Sequence, residues 1–213
     1  MTRVKICGIT NIRNACAAVS AGADALGFVF AKSPRRISLK EAKNICERLA
    51  PWIATVGVFV DASLGEVLRT AQECRLSAVQ LHGSESPSYA RKCSRVVRVI
   101  KAFRVGNDFD LRWIKSYDTD AFLFDTKVPA RRCSSGGSDK RGGTGVTFDW
   151  SILQNKKIHR PVVISGGLTP QNVKGAVNAL RPYGVDVSSG VEIVPGQKSE
   201  KLMRIFIQNA KNA

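Results

Sequence analysis

The stretch VKICGITNIRNACAAVSAGADALGFVF (residues 4–30) decides the fold. It opens on a short apolar run, VKICG (4–8), and closes on another, ALGFVF (25–30). Between them, Asn11 to Ser20 carries Ile12, Ala15, Cys16 and Val19 at helical spacing. Both runs are apolar on either side of the pleat, as parallel strands covered on both faces require. Two parallel strands joined through a helix form a βαβ unit.

Working outward, the unit repeats at roughly 25-residue spacing, a strand–helix alternation that reads as a parallel α/β fold. Further strand runs are ATVGVFV (54–60), AVQLH (78–82), VVRVIKAF (96–103), AFLFD (121–125), PVVISGG (161–167) and VDVSSG (185–190). Helices are expected after Ser38, with Glu41 completing a capping box, and after Ser63 with Glu66. Others are expected over Ser86–Cys93, Asp108–Ser116, Pro170–Leu180 and Ser199–Asn209. Thr169 and Pro170 read as an N-cap and first helical residue. Eight units in 213 residues suit one (β/α)8 TIM barrel over residues 1–213 as a single domain. The alternative is an open doubly wound sheet, which usually shows a glycine fingerprint after its first strand; here only Gly8 stands there. Val128 to Gly145 breaks the rhythm, being rich in Gly, Ser and charge. A flexible insert is expected at about 130–141, with Gly142 to Gly145 a functional turn.

At 44% hydrophobic residues the composition is that of a folded domain. No apolar run approaches the roughly 20 residues that span a bilayer, so no membrane partner is expected. The N-terminus enters a strand at once without a signal pattern, and a cytoplasmic location is the default. None of the six cysteines forms a C-x-x-C pair, which argues against a disulfide framework and a zinc cluster. The net charge of +16 raises nucleic acid as a partner. The basic residues, however, are spread along the chain without base-stacking aromatics among them, so none is expected. A basic surface would instead steer anionic substrates inward. The pattern fixes no oligomeric state.

In a parallel barrel, reactive groups sit at the C-terminal ends of the strands. Those ends offer Cys7, Arg35 and Arg36 after strand two, Asp61, His82, Lys101 with Arg104, Asp125, Gly166-Gly167 and Ser188-Ser189-Gly190. Cys7 is a candidate base or nucleophile, or a small buried residue. Asp125 ends an apolar strand and is a candidate acid, or a cap for the next loop. Arg35 or Arg36 has the fork that grips a carboxylate, unless both are surface charges. His82 is an acid, a base or a hydrogen-bond donor to a buried neighbour. The glycine turns at 166–167 and 189–190 follow strands seven and eight, where barrels of this kind bind phosphate through backbone N–H groups.

These positions together resemble the phosphoribosylanthranilate isomerase family of tryptophan biosynthesis. The matching stretches are KICGIT (5–10), AGADALGFVFAKSPRRIS (21–38), VGVFV (56–60), VQLHG (79–83), VIKAF (99–103), FDTK (124–127), GGTGVTFDW (142–150), SGGLTPQNV (165–173) and GVDVSSGVE (184–192). The resemblance implies an Amadori rearrangement of N-(5-phosphoribosyl)anthranilate to 1-(2-carboxyphenylamino)-1-deoxyribulose 5-phosphate, a small phosphorylated substrate, with no metal or organic cofactor. It implies Cys7 as general base, Asp125 as general acid and Arg35, rather than Arg36, as the anthranilate-carboxylate ligand. His82 joins the substrate-binding set. The phosphate site maps onto Gly166, Gly167, Ser189 and Gly190, with Asp186 and Ser188 facing the substrate. The departure is the longer, basic segment between FDTK and GGTG. Another phosphosugar barrel and a non-catalytic anion-binding module are the competing readings, and the Cys7–Asp125–Arg35 set argues against both.

Overall fold

Eight parallel strands pair in sequence order and close on themselves: β1 (Arg3–Cys7), β2 (Ala25–Val29), β3 (Ala54–Phe59), β4 (Ala78–Leu81), β5 (Arg98–Val105), β6 (Ala121–Thr126), β7 (Val162–Ile164) and β8 (Gly184–Val187). Closure comes from β1 pairing with β8, Lys5 opposite Asp186. The computed structural model describes residues 1–106, 108–126 and 147–213. The insert expected at about 130–141 and the turn at Gly142 to Gly145 lie outside the described residues. The closed order confirms the TIM barrel over the open sheet.

Helices α1 (Ile12–Ser20), α2 (Leu39–Cys46), α3 (Leu64–Glu73), α4 (Pro87–Ser94), α5 (Val173–Leu180) and α6 (Glu200–Lys211) follow strands β1, β2, β3, β4, β7 and β8. The capping box before α2 forms as read, with Ser38 Oγ accepting from the Glu41 N–H and Glu41 reaching back to the Ser38 N–H, both at 3.2 Å. Ser63, Ser86 and Ser199 cap α3, α4 and α6 in the same way from their hydroxyl oxygens.

Two helix expectations need correction. The segment after β5 forms only a 3-10 turn, Leu111–Ser116, capped by Asp110. Its tight packing is set by Phe103, whose ring meets Tyr117 and Phe109 edge-on or tilted at 5.4 and 6.1 Å. Before α5, the Thr169–Pro170 start is three residues early, since the continuous helix begins at Val173. Asn172 explains the offset: its Oδ1 accepts from the Thr169 N–H at 2.8 Å and its Nδ2 donates to the Gly167 carbonyl at 2.9 Å. That amide clamp shapes the loop before the helix takes over.

The strands divide their side chains by parity. On β1, Val4 and Ile6 are fully buried in the apolar layer under the helices. Lys5 and Cys7 alternate with them, so they point into the barrel. The same parity puts Gln80 and Asp186 inside, both buried and both polar, while Lys101, opposite Leu81 and Phe122, lies on the helix-facing side. The layer between barrel and helices supplies the stability, at roughly 1.5–3 kcal/mol for each large apolar side chain removed from water. Inside the barrel these polar groups share the space with Val56, Val58 and Leu123.

Candidate active site

At the C-terminal mouth, Cys7 ends β1 and Asp125 lies near the end of β6. One hydrogen-bonded chain joins their surroundings. Lys5 Nζ donates to Asp186 Oδ1 at 2.8 Å and to Gln80 Oε1 at 3.0 Å. Gln80 Nε2 lies 2.8 Å from His82 Nδ1, and His82 Nε2 lies 3.0 Å from Asp125 Oδ2. Asp125 Oδ1 accepts from the Thr126 N–H at 2.9 Å. Ser165 Oγ adds a 3.3 Å contact to Asp186 Oδ2.

The thiol sits in this setting at 7% exposure. Burial pushes it up from the ordinary thiol range; the Lys5 ammonium pulls it down, while the Asp186 carboxylate adds to the rise. Lys5 itself is held above the usual lysine range: burial opposes its charge, but Asp186 and Cys7 outweigh that. Room for the sulfur comes from Gly27, paired with Cys7 across β1 and β2. A Cβ at Gly27 would stand 2.7 Å from Cys7 Sγ, well inside contact distance.

Arg35 and Arg36 separate cleanly. Arg36 is exposed, while Arg35 is 8% exposed. A small antiparallel hairpin, β9 (Glu192–Val194) and β10 (Gln197–Lys198), follows β8 and supplies its partner. Glu192 takes Arg35 bidentately, Nε to Oε1 at 2.8 Å and one Nη to Oε2 at 2.7 Å. Lys198 Nζ donates to Glu192 Oε1 at 2.7 Å and to the Ser188 carbonyl at 3.0 Å. Glu192 is therefore held below the usual carboxylate range, burial being outweighed by its bonds from Arg35 and Lys198. The fork of Arg35 has five donors, so its remaining N–H groups can take a second anion.

The loops after β7 and β8 press together. A Cβ at Gly190 would fall 1.9 Å from the Leu168 carbonyl oxygen, so this crossing admits only glycine. Gly166 and Gly167 both have positive φ, at 83° and 64°. Among the described residues, the amide N–H groups of Gly166 and Gly167 donate to no protein acceptor, and Ser189 and Gly190 open a 3-10 turn, Ser189–Val191. Free amides at a glycine turn form a ready anion site, and the loop after β8 lies directly against this one.

A cavity of about 540 Å³ opens beside the mouth over β3–β5, lined in part by Asp61, His82, Lys101, Phe103 and Trp113. It meets the constellation only at His82; Cys7, Arg35 and the glycine turns lie outside its lining. Lys101 is committed there to Glu85 Oε2 at 2.7 Å and to the Gly83 carbonyl at 2.8 Å. Asp61 Oδ1 accepts from the Ser84 N–H at 2.6 Å, so both residues brace the loops after β3 and β4.

Residues 4–209 match the family described as N-(5′phosphoribosyl)anthranilate (PRA) isomerase. The chain belongs to this family. The N-(5′-phosphoribosyl)anthranilate isomerase of Geobacter metallireducens is 47% identical over 212 residues, 99% of this chain and 100% of that protein. The crystal structure of phosphoribosyl anthranilate isomerase from Thermotoga maritima superposes with a TM-score of 0.85 at 44% identity, over the whole of both chains. A phosphoribosyl anthranilate isomerase in complex with reduced 1-(o-carboxyphenylamino)-1-deoxyribulose 5-phosphate gives 0.82 at 39%, again over both whole chains.

Cys7, Asp125, His82, Arg35, Asp186 and Ser188 thus lie on connected elements of one barrel mouth with the two glycine turns. Four further residues were missed. Lys5 and Gln80 each interrupt an otherwise apolar strand, and a charge or amide inside such a run is the signal that marks them. Glu192 and Lys198 flank Pro195-Gly196, a turn dipeptide between two extended stretches, which announces the extra hairpin.

Proposed function

We propose that this barrel isomerises N-(5′-phosphoribosyl)anthranilate to the corresponding 1-deoxyribulose by acid–base chemistry, as a step of tryptophan biosynthesis. The observation that carries the residue assignment is the chain from Lys5 through Gln80 and His82 to Asp125, with Cys7 at its other end. It sets a thiol and a carboxyl on the interior of one mouth, each in a defined electrostatic setting.

Asp125 acts as general acid, giving its proton to the furanose ring oxygen so that the C1′–O bond breaks and a protonated Schiff base forms. The two hydrogen bonds it accepts leave each oxygen capacity for a proton and stabilise the carboxylate left behind. Cys7 acts as general base and removes the C2′ proton that the iminium has acidified. The electron pair of that C–H bond flows into the substrate's own nitrogen, and the enolamine tautomerises to the ketone. Arg35 takes the anthranilate carboxylate on the donors that Glu192 leaves free. The N–H groups of Gly166, Gly167, Ser189 and Gly190 take the phosphate, and Asp186 and Ser188 border the sugar.

The test is paired turnover and binding. Asp125→Asn and Cys7→Ala should each lower kcat by on the order of 10²–10⁴ while a product analogue still binds. Near-normal kcat in either variant with authentic substrate removes that residue from its role.

A further inference from the structure

Those roles leave Gln80 unexplained: an amide 1% exposed in a strand otherwise apolar, with both ends engaged. A lysine ammonium has donors and no acceptor, so the atom facing Lys5 Nζ at 3.0 Å is the carbonyl oxygen. The orientation of the amide follows. Its NH2 end is turned to His82 Nδ1 at 2.8 Å. Lys5 is not free to swing away, because Asp186 holds it at 2.8 Å in the buried pair that also keeps it charged. An Nδ1 that accepts a hydrogen bond carries no proton, so the ring proton sits on Nε2, the nitrogen 3.0 Å from Asp125 Oδ2.

We propose that Gln80 is a positioning residue: anchored by Lys5, it locks His82 in the Nε2–H tautomer, so that His82 donates to the acid Asp125. The functional part rests on the reading of Asp125 given above. When Asp125 releases its proton, negative charge grows on Oδ2, and a donor already aimed there binds the charged form more strongly. The opposite tautomer would aim a lone pair at the same oxygen. Adding a second proton to the ring at Nδ1 would set an N–H against the N–H of Gln80.

The chain contains two histidines, so nitrogen-15 spectra of the imidazoles are simple to assign. The second, His159, is exposed with its ring against Phe122, and His159→Gln removes its signals. In the unsubstituted protein, His82 should show a bare Nδ1 and a protonated Nε2. Gln80→Glu places an acceptor at Nδ1 and should yield a ring protonated on both nitrogens at the same pH. Gln80→Leu should release the lock, giving a mixture of tautomers and a roughly 10–100-fold fall in kcat with KM within about threefold. A protonated Nδ1 in the unsubstituted protein, or a ring unchanged by Gln80→Glu, overturns the proposal. The first reading needs no variant, so a poorly folding substitution does not protect the idea. It also needs no turnover: activity retained in Asp125→Asn would end the acid assignment and leave the tautomer standing, and the reverse pattern would do the opposite.

Discussion

Arg35 shows how much a single side chain has to reconcile. It is buried, it neutralises Glu192 through two short bonds, and in the proposed reaction it also takes a substrate carboxylate. Arg35→Ala should raise KM about 10-fold or more, the worth of a lost charge-assisted bond. It should also lower Tm, because Glu192 then keeps only Lys198. Arg36→Ala, at an exposed site, should move neither; equal effects in the two variants would mean the wrong arginine is assigned. Cys7 yields a pH prediction. Its thiol is raised first by burial, so the thiolate appears on the alkaline side of the ordinary thiol range and kcat/KM should climb there. Lys5 opposes the rise, so Lys5→Met should push the thiolate titration to still higher pH. Ultraviolet thiolate absorbance, with Cys7→Ala as the blank, reads this directly, and an unmoved or lowered titration would show that Lys5 does not act on the sulfur.

At the scale of elements, the glycine turn after β8 carries a sharp steric prediction. Gly190→Ala drives a methyl into the Leu168 carbonyl, so the two loops must part. Stability should fall by about 1–3 kcal/mol, the usual cost of overpacking. Competitive inhibition by inorganic phosphate should weaken with it. Gly65 is the contrast: a Cβ there meets nothing within 4 Å in α3, and Gly65→Ala should add up to about 1 kcal/mol by helix propensity alone. Both are read by urea denaturation. The elements were largely legible in the sequence because apolar period and serine caps are local signals, and β1, β2 and α1–α4 fall within a few residues of where the pattern puts them. What escaped was non-local. The chain Asp186–Lys5–Gln80–His82 joins β8, β1 and β4, and no window along the sequence contains those partners. The 3-10 turn after β5 escaped for a related reason: its capping and periodicity look helical, but the ring of Phe103 on the neighbouring strand sets its packing. The positions of Cys7, Asp125 and the glycine turns were readable because a parallel barrel places strand ends together whatever the intervening chain does.

For the whole molecule, the +16 charge bears on encounter more than on chemistry. A substrate carrying a carboxylate and a phosphate is drawn toward such a surface, and salt screens the attraction, the Debye length falling from about 30 Å at about 0.01 M to about 8 Å at about 0.15 M. Between those conditions kcat/KM should fall several-fold while kcat holds; a flat kcat/KM would show that the charge does not guide substrate. Closure of the barrel has a consequence in time. The strand that bears Cys7 leaves the ribosome before the other seven of the barrel, yet Lys5 meets its carboxylate 181 residues later along the chain. Asp24 likewise waits for Lys211 of the final helix, which it binds at 3.0 Å while also accepting from the Val4 N–H. During synthesis the nascent chain thus holds an ordinary thiol. The electrostatic setting that would make it a base forms in one late event, when β8 docks on β1, and a chain stopped short of β8 would lose the chemistry together with the fold.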